Sequence, residues 1–213
     1  ATTALLNDWL GSVDFYATAS FVSPQFFPRF DSNGKFLPLY DQVMDIDVGR
    51  KETFHRPETI QILLSVPKVR TGPAPVAIFM HGHSGSKLDS LLAMGPFARS
   101  GLATIGMDAV SHGLSLNAVD RELVTGLTQK YGIDPLANAM VGDGRGIDQN
   151  GDGLIDSGAD YFTGHVTHTR DTVRQTAVDL MQLVRVLRSF DGVRRWNFDV
   201  NRDGENDLAG DFD

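Results

Sequence analysis

The chain has 213 residues, 41% of them apolar, and a formal net charge of −8. That composition supports a real core in one large domain and excludes a disordered protein. With no cysteine it excludes disulfides, thiolate metal sites and a cysteine nucleophile, leaves the redox compartment open, and shows neither a membrane span nor the basic face that nucleic acid needs.

The opening residues carry no basic-then-apolar leader, so an export signal was either removed or never present. Residues 1–42, with Phe26-Phe27-Pro28, Phe30 and Phe36, lack clean periodicity and read as an irregular lead-in. Residues 43–48 (V-M-D-I-D-V) alternate apolar and polar, as a half-buried strand requires, and residues 59–66 read as a second strand ended by Pro67. The charged stretch between them predicts an antiparallel hairpin with His55 solvated in its turn. Residues 76–80 (V-A-I-F-M) are a continuous apolar run, the mark of a strand buried on both faces of a parallel sheet. A helix over 87–100, stopped by Gly101, leads to a second such strand over 102–107 that ends at Asp108. Strand, helix and strand make a βαβ unit.

Residues 118–164 read as an insertion with a weak helix over 120–131. Its Gly142-Asp143-Gly144-Arg145-Gly146 run is no phosphate loop, because no strand precedes it and no helix follows. The strongest helical pattern spans 169–190. There Val173, Ala177, Leu180, Met181, Val184 and Leu187 form one apolar stripe, expected to pack into the core. His165 and His168, just before it, are expected at the surface or in its first turn. Asp108 and His112 are expected to order the loop after the fourth strand.

The segment 75–115 carries a family resemblance. A buried strand running into His81-Gly82, then a helix, then a strand ending in Asp108 with His112-Gly113 close behind, resembles the α/β-hydrolase superfamily, most of all large exported bacterial esterases or lipases. The resemblance covers roughly residues 43–117 and 165–195. It implies an α/β fold: the N-terminal part of a hydrolase domain, with an antiparallel hairpin leading into a parallel sheet. It implies a serine hydrolase acting on a small ester or lipid, with the backbone N–H of His83 as one oxyanion donor. A complete G-x-S-x-G nucleophile motif is missing. The closest segment, Gly82-His83-Ser84-Gly85-Ser86, fails at its last position and lies one unit early, which leaves Ser84 the weaker candidate for nucleophile. The triad is therefore expected beyond residue 213, on a remaining C-terminal segment or a second chain, and a further strand is expected to pair beside 76–80 or 102–107. The chain then divides into lead-in (1–42), hairpin and βαβ core (43–117), insertion (118–164), core helix (165–195) and terminal loop (196–213).

Two acidic loops repeat one spacing. Asp148, Asn150, Asp152, Leu154, Asp156 and Asp160 recur as Asp199, Asn201, Asp203, Glu205, Asp207 and Asp211, with Gly153 and Gly204 at the sixth position. Their eight aspartates equal the whole excess charge. Oxygens at positions one, three, five and nine, with a carbonyl at seven, suit Ca2+, a hard cation that wants six to eight of them. The loops resemble EF-hand calcium loops but lack the Glu at position twelve. Such weak sites fill at extracellular calcium levels, which predicts a secreted, periplasmic or cell-surface protein. A calcium-dependent binding module without catalysis, and a complete small hydrolase using Ser84, are the competing functions.

Overall fold

The computed structural model describes residues 7, 9–44, 46, 49, 56–131, 141–142 and 144–190. It is an α/β arrangement around a four-stranded mixed sheet of order β1-β2-β4-β3, with β1 spanning Val13–Gln25, β2 Arg56–Pro67, β3 Val76–Met80 and β4 Ala103–Met107. A 3-10 turn at Lys87–Ser90 runs into α1 (Leu91–Arg99), followed by α2 (Ala118–Tyr131) and α3 (Val166–Leu187). β1 and β2 pair antiparallel, β2 meets β4 antiparallel, and β3 runs parallel to β4 in the register Val76↔Ala103 to Met80↔Met107.

The lead-in is a correction to the sequence reading. Residues 13–25 form the longest strand of the sheet, and this strand is the antiparallel partner of β2. Residues 43, 44 and 46 form no strand, while 45, 47, 48 and His55 lie outside the described residues. β1 does alternate, with Val13, Phe15, Ala17, Ala19 and Phe21 one residue apart, but two of those are alanines and the series ends in the buried polar Ser23 and Gln25. Period two gives a strand one buried face; here that face is too small and too polar to stand out.

The core lies between the sheet and α3. Phe21, Ile60, Ile62, Leu64, Val66, Ile105 and Met107 pack against Leu183 and Leu187. On the opposite face of β4, Gly106 receives the 3-10 turn. A Cβ at Gly106 would meet Ser90 Cβ at 2.6 Å and the Lys87 carbonyl at 2.9 Å, so only glycine allows that approach. α1 stops where the sequence indicates: Gly101 sits at φ 76, its N–H bonds to the Ala98 carbonyl, and the Leu102 N–H bonds to Phe97. That pair of bonds is the Schellman arrangement. β4 is buried throughout, as expected, whereas β3 is only half-buried because its far edge has no partner among the described residues.

α3 turns its other side inward. Its buried residues are His168, Asp171, Thr172, Gln175, Thr176 and Asp179, then Leu183 and Leu187. The apolar stripe expected in the core is largely outside: Val173 is 45% exposed and Met181 60%. Along two thirds of this helix, hydrogen bonds to β1 and its neighbours decide which face is buried, and hydrophobicity does so only in the last turns.

Candidate functional site

The carboxyl ends of β3 and β4 lie side by side, and the loops leaving them are fixed by groups the sequence supplies locally. Ser86 caps the 3-10 turn, its Oγ accepting the Leu88 N–H at 3.3 Å. Asp108, at the end of β4, accepts the Lys87 backbone N–H at 2.7 Å and the Lys87 ammonium at 2.8 Å. Both residues are only 2% exposed, so this ion pair locks the loop after β3 onto the end of β4. His81 adds a second tie. The Ala109 N–H donates to its Nε2 at 3.0 Å, which places the ring proton on Nδ1, facing the Gly82 carbonyl at 2.8 Å.

Between these ties, residues 82–84 bulge into solvent. Ser84 takes a left-handed backbone with φ 62, an unusual conformation for a residue with a side chain. Among the described residues, the His83 N–H donates to no protein acceptor and no imidazole accepts from Ser84 Oγ.

His112 forms the floor of the site. It is 2% exposed, and its Nδ1 faces the Val110 carbonyl at 2.8 Å. A carbonyl can only accept, so Nδ1 carries the proton and Nε2 keeps a lone pair. That Nε2 has no hydrogen-bond partner. His81, His83 and Tyr161 surround the ring at centroid distances of 4.7, 5.8 and 4.9 Å, and Phe162 lies 5.4 Å from His83. Together with Met80, Ala109, Val173, Thr176, Ala177 and Leu180 these groups line a cavity of about 380 Å³. Ligand sites in open parallel sheets form at the carboxyl ends of the strands, as this one does.

Asp108 and His112 thus order the loop after β4, as expected. His165 is exposed, but His168 departs from the expectation. It is fully buried, its Nε2 lies 3.2 Å from Gln42 Oε1, and the Phe27 ring stands edge-on to it at 5.2 Å.

The segment that closes the site is held by Arg145. All five of its N–H groups are used: Nε to Glu58 at 3.1 Å, Nη1 to Asp179 at 2.8 Å and the Asp108 carbonyl at 3.3 Å, Nη2 to Glu58 at 2.9 Å and Gln25 at 3.2 Å. Asp179 Oδ1 in turn accepts from Ser23, Gln25 and Gln175. Burial would lower Arg145 and raise Glu58, but their mutual charge, with Asp179 beside Arg145, outweighs it: the guanidinium stays above its ordinary value and the Glu58 carboxyl below. The glycines around Arg145 serve close approach. Gly144 and Gly113 are packed backbone to backbone, a Cβ on Gly113 reaching within 2.7 Å of Gly144 Cα, and the Arg145 N–H bonds to the His112 carbonyl at 2.6 Å. Sequence reading dismissed this run as a phosphate loop; an arginine between glycines was the available signal for a buried anchor.

The first acidic loop curls around its own side chains. Asp148 accepts the N–H groups of Gly151 and Gly153, Asp152 that of Leu154, and Asp156 those of Gln149 and Asn150. Gly151 and Gly153 supply the left-handed turns at φ 79 and 87. The Asn150 amide lies within 3.1 Å of Asp152 and 3.5 Å of Asp156. Asp160 stands apart, fully buried at 3.3 Å from Arg29. Among the described residues, no three acidic or histidine side chains form a metal cluster. The second loop, Asp199, Asn201, Asp203, Glu205, Asp207 and Asp211, lies outside the described residues.

Against known proteins, no family model, no curated protein and no solved structure matches the chain. The chemistry of the site rests on its own geometry. No helix among the described residues is long and apolar enough to cross a membrane.

Burial holds both His112 and His168 below the ordinary histidine range, with neighbouring histidines adding to it for His112 and Arg29 for His168. The unfolded chain protonates its histidines near pH 6.5 while the folded one resists, so stability is full above about that pH and falls as pH drops below it. The urea midpoint should therefore fall between pH 7.5 and 5.5, and His168→Gln should flatten that fall; a wild-type midpoint constant across the interval would contradict it. Glu58 and Asp171, held low by Arg145 and by Arg170, lose their contribution only below the ordinary carboxylate range near pH 4.

Proposed function

We propose that the chain is part of a carboxylic-ester hydrolase of the α/β-hydrolase type, acting on a small ester or a lipid. The observation that carries the reading is an N–H without a protein acceptor, that of His83, beside a mostly apolar cavity at the carboxyl ends of two parallel strands. Acyl transfer moves the carbonyl electron pair onto oxygen as the nucleophile bonds to carbon, and a fixed N–H aimed at that oxygen lowers the barrier. The order of features supports it too: His81-Gly82 follow the third strand, Asp108 follows the fourth, and His112-Gly113 come next. Since the sequence holds no complete G-x-S-x-G, the nucleophile in this reading belongs to sequence beyond residue 213 or to a second chain. The open edge of β3 offers a further strand its place. One observation favours the competing nucleophile Ser84, its exposed left-handed backbone at a strand-to-helix turn; the lack of an imidazole partner speaks against it.

The 213-residue chain alone should leave p-nitrophenyl acetate at its background rate and take no fluorophosphonate label. The intact gene product should hydrolyse the ester and be labelled on a serine outside these residues. There His83→Ala should leave kcat unchanged, because the backbone acts and not the ring. Label on Ser84 would move the nucleophile into this chain. An inert intact product would leave a calcium-dependent binding module.

The same proposal gives the first acidic loop to Ca2+. Asp148, Asp152 and Asp156 would supply carboxylates, Asn150 its amide oxygen and Leu154 its carbonyl, a hard all-oxygen set that suits this ion, with water completing six to eight ligands. Asp160 is committed to Arg29 and is left out of the set. The ion would hold a loop already bolted to the site, since Ser157 bonds Gly113 and Gly85 and the Gly158 N–H bonds Ser111. Sites of this kind fill at extracellular calcium levels, in keeping with a secreted, periplasmic or cell-surface protein. Calcium at about 100 times its dissociation constant should add roughly 2.7 kcal/mol of stability per site, and Asp152→Ala should remove part of that gain. Equal melting temperatures in chelator and in saturating calcium would rule the ion out.

A further inference from the structure

We propose that the cavity above His112 takes a neutral aromatic ring bearing a hydroxyl group, whose proton is received by His112 Nε2. The inference rests on the ester-hydrolase reading only in making such a ring part of the substrate; binding of the ring stands on the cavity alone.

The polarity of the site is fixed by its backbone. His112 Nδ1 is committed as a donor to the Val110 carbonyl, so Nε2 can only accept while the ring is neutral. This nitrogen is buried and has no hydrogen-bond partner, the kind of group a native interior rarely leaves unmet. His81 offers nothing to a ligand through its ring nitrogens, because the Ala109 N–H and the Gly82 carbonyl hold both. No carboxylate lines the cavity, so a cationic donor such as an amine would enter without a counter-charge. An anion would meet a lone pair at His112. A neutral O–H donor satisfies Nε2 without either cost.

The walls select the rest of the ligand. Met80, Val173, Ala177 and Leu180 are apolar, and Tyr161 and Phe162 present ring faces and edges to the same space. The volume of about 380 Å³ falls within the range of small-molecule pockets. Gly158 keeps Nε2 reachable. A Cβ there would stand 2.6 Å from His112 Nε2 and 3.0 Å from His83 Nδ1, capping both.

The experiment compares p-cresol with p-methylanisole, which has the same ring but no donor, binding to the 213-residue chain by calorimetry, with His112 imidazole nitrogens observed by NMR. Expected is roughly tenfold tighter binding of p-cresol, the ratio one net hydrogen bond gives, with a shift of the His112 Nε2 resonance. Gly158→Ala should weaken p-cresol, and His112→Phe should erase the preference; circular dichroism checks that both variants are folded. Equal affinities for the two probes, or no binding of either to the wild-type chain, would overturn the proposal without any variant. Because the probes are not esters, their binding survives failure of the hydrolase reading, and hydrolysis without a phenol preference would refute this inference alone.

Discussion

A buried arginine is the constraint on which the rest depends. Arg145 lies on a segment with no sheet or helix of its own, yet it reaches the inside of the fold and must be neutralised there. An unpaired interior charge costs far more than any surface contact returns, so its acceptors must arrive together from distant parts of the chain. They come from β1 (Gln25), β2 (Glu58), the end of β4 (the Asp108 carbonyl) and α3 (Asp179). Asp179 needs partners as well, and Ser23, Gln25 and Gln175 provide them. The network accounts for the orientation of α3: the polar residues that hold Asp179 and its neighbours are buried, and the apolar stripe faces the cavity and the outside.

The site follows from that clasp. With Arg145 seated, its N–H bonds His112, residues 157–158 bond the loops after β3 and β4, and Tyr161 and Phe162 close over the imidazoles. Arg29 extends the network by donating to the Arg145 carbonyl at 2.7 Å and to Asp160. The acidic loop hangs between these fixed points, so an ion bound there would tighten the segment that walls the cavity.

What could be read from the sequence was what short-range chemistry decides. The apolar run 76–80, the glycine stop at 101 and the Asp108 terminus correspond to observed features because each rests on local periodicity or backbone geometry. The long helix was also legible, though not its buried face: Asp171, Gln175 and Asp179 read as solvent residues until their partners more than 120 positions away are known. β1 escaped because its inward side carries alanine, serine and glutamine. Arg145, the buried His168 and the burial of Asp160 escaped for the same reason: a buried polar group is recognised by its partners, and the sequence does not say which are adjacent.

The most direct measurement is a double-mutant cycle on Arg145 and Asp179 in urea unfolding. Replacing either alone, Arg145→Met or Asp179→Leu, strands a buried charge and should cost about 3–5 kcal/mol. The double variant should lose far less than the sum of the two, since neither charge is then left behind. Small, additive losses would mean that Arg145 does not hold the fold together, and the site would need another anchor.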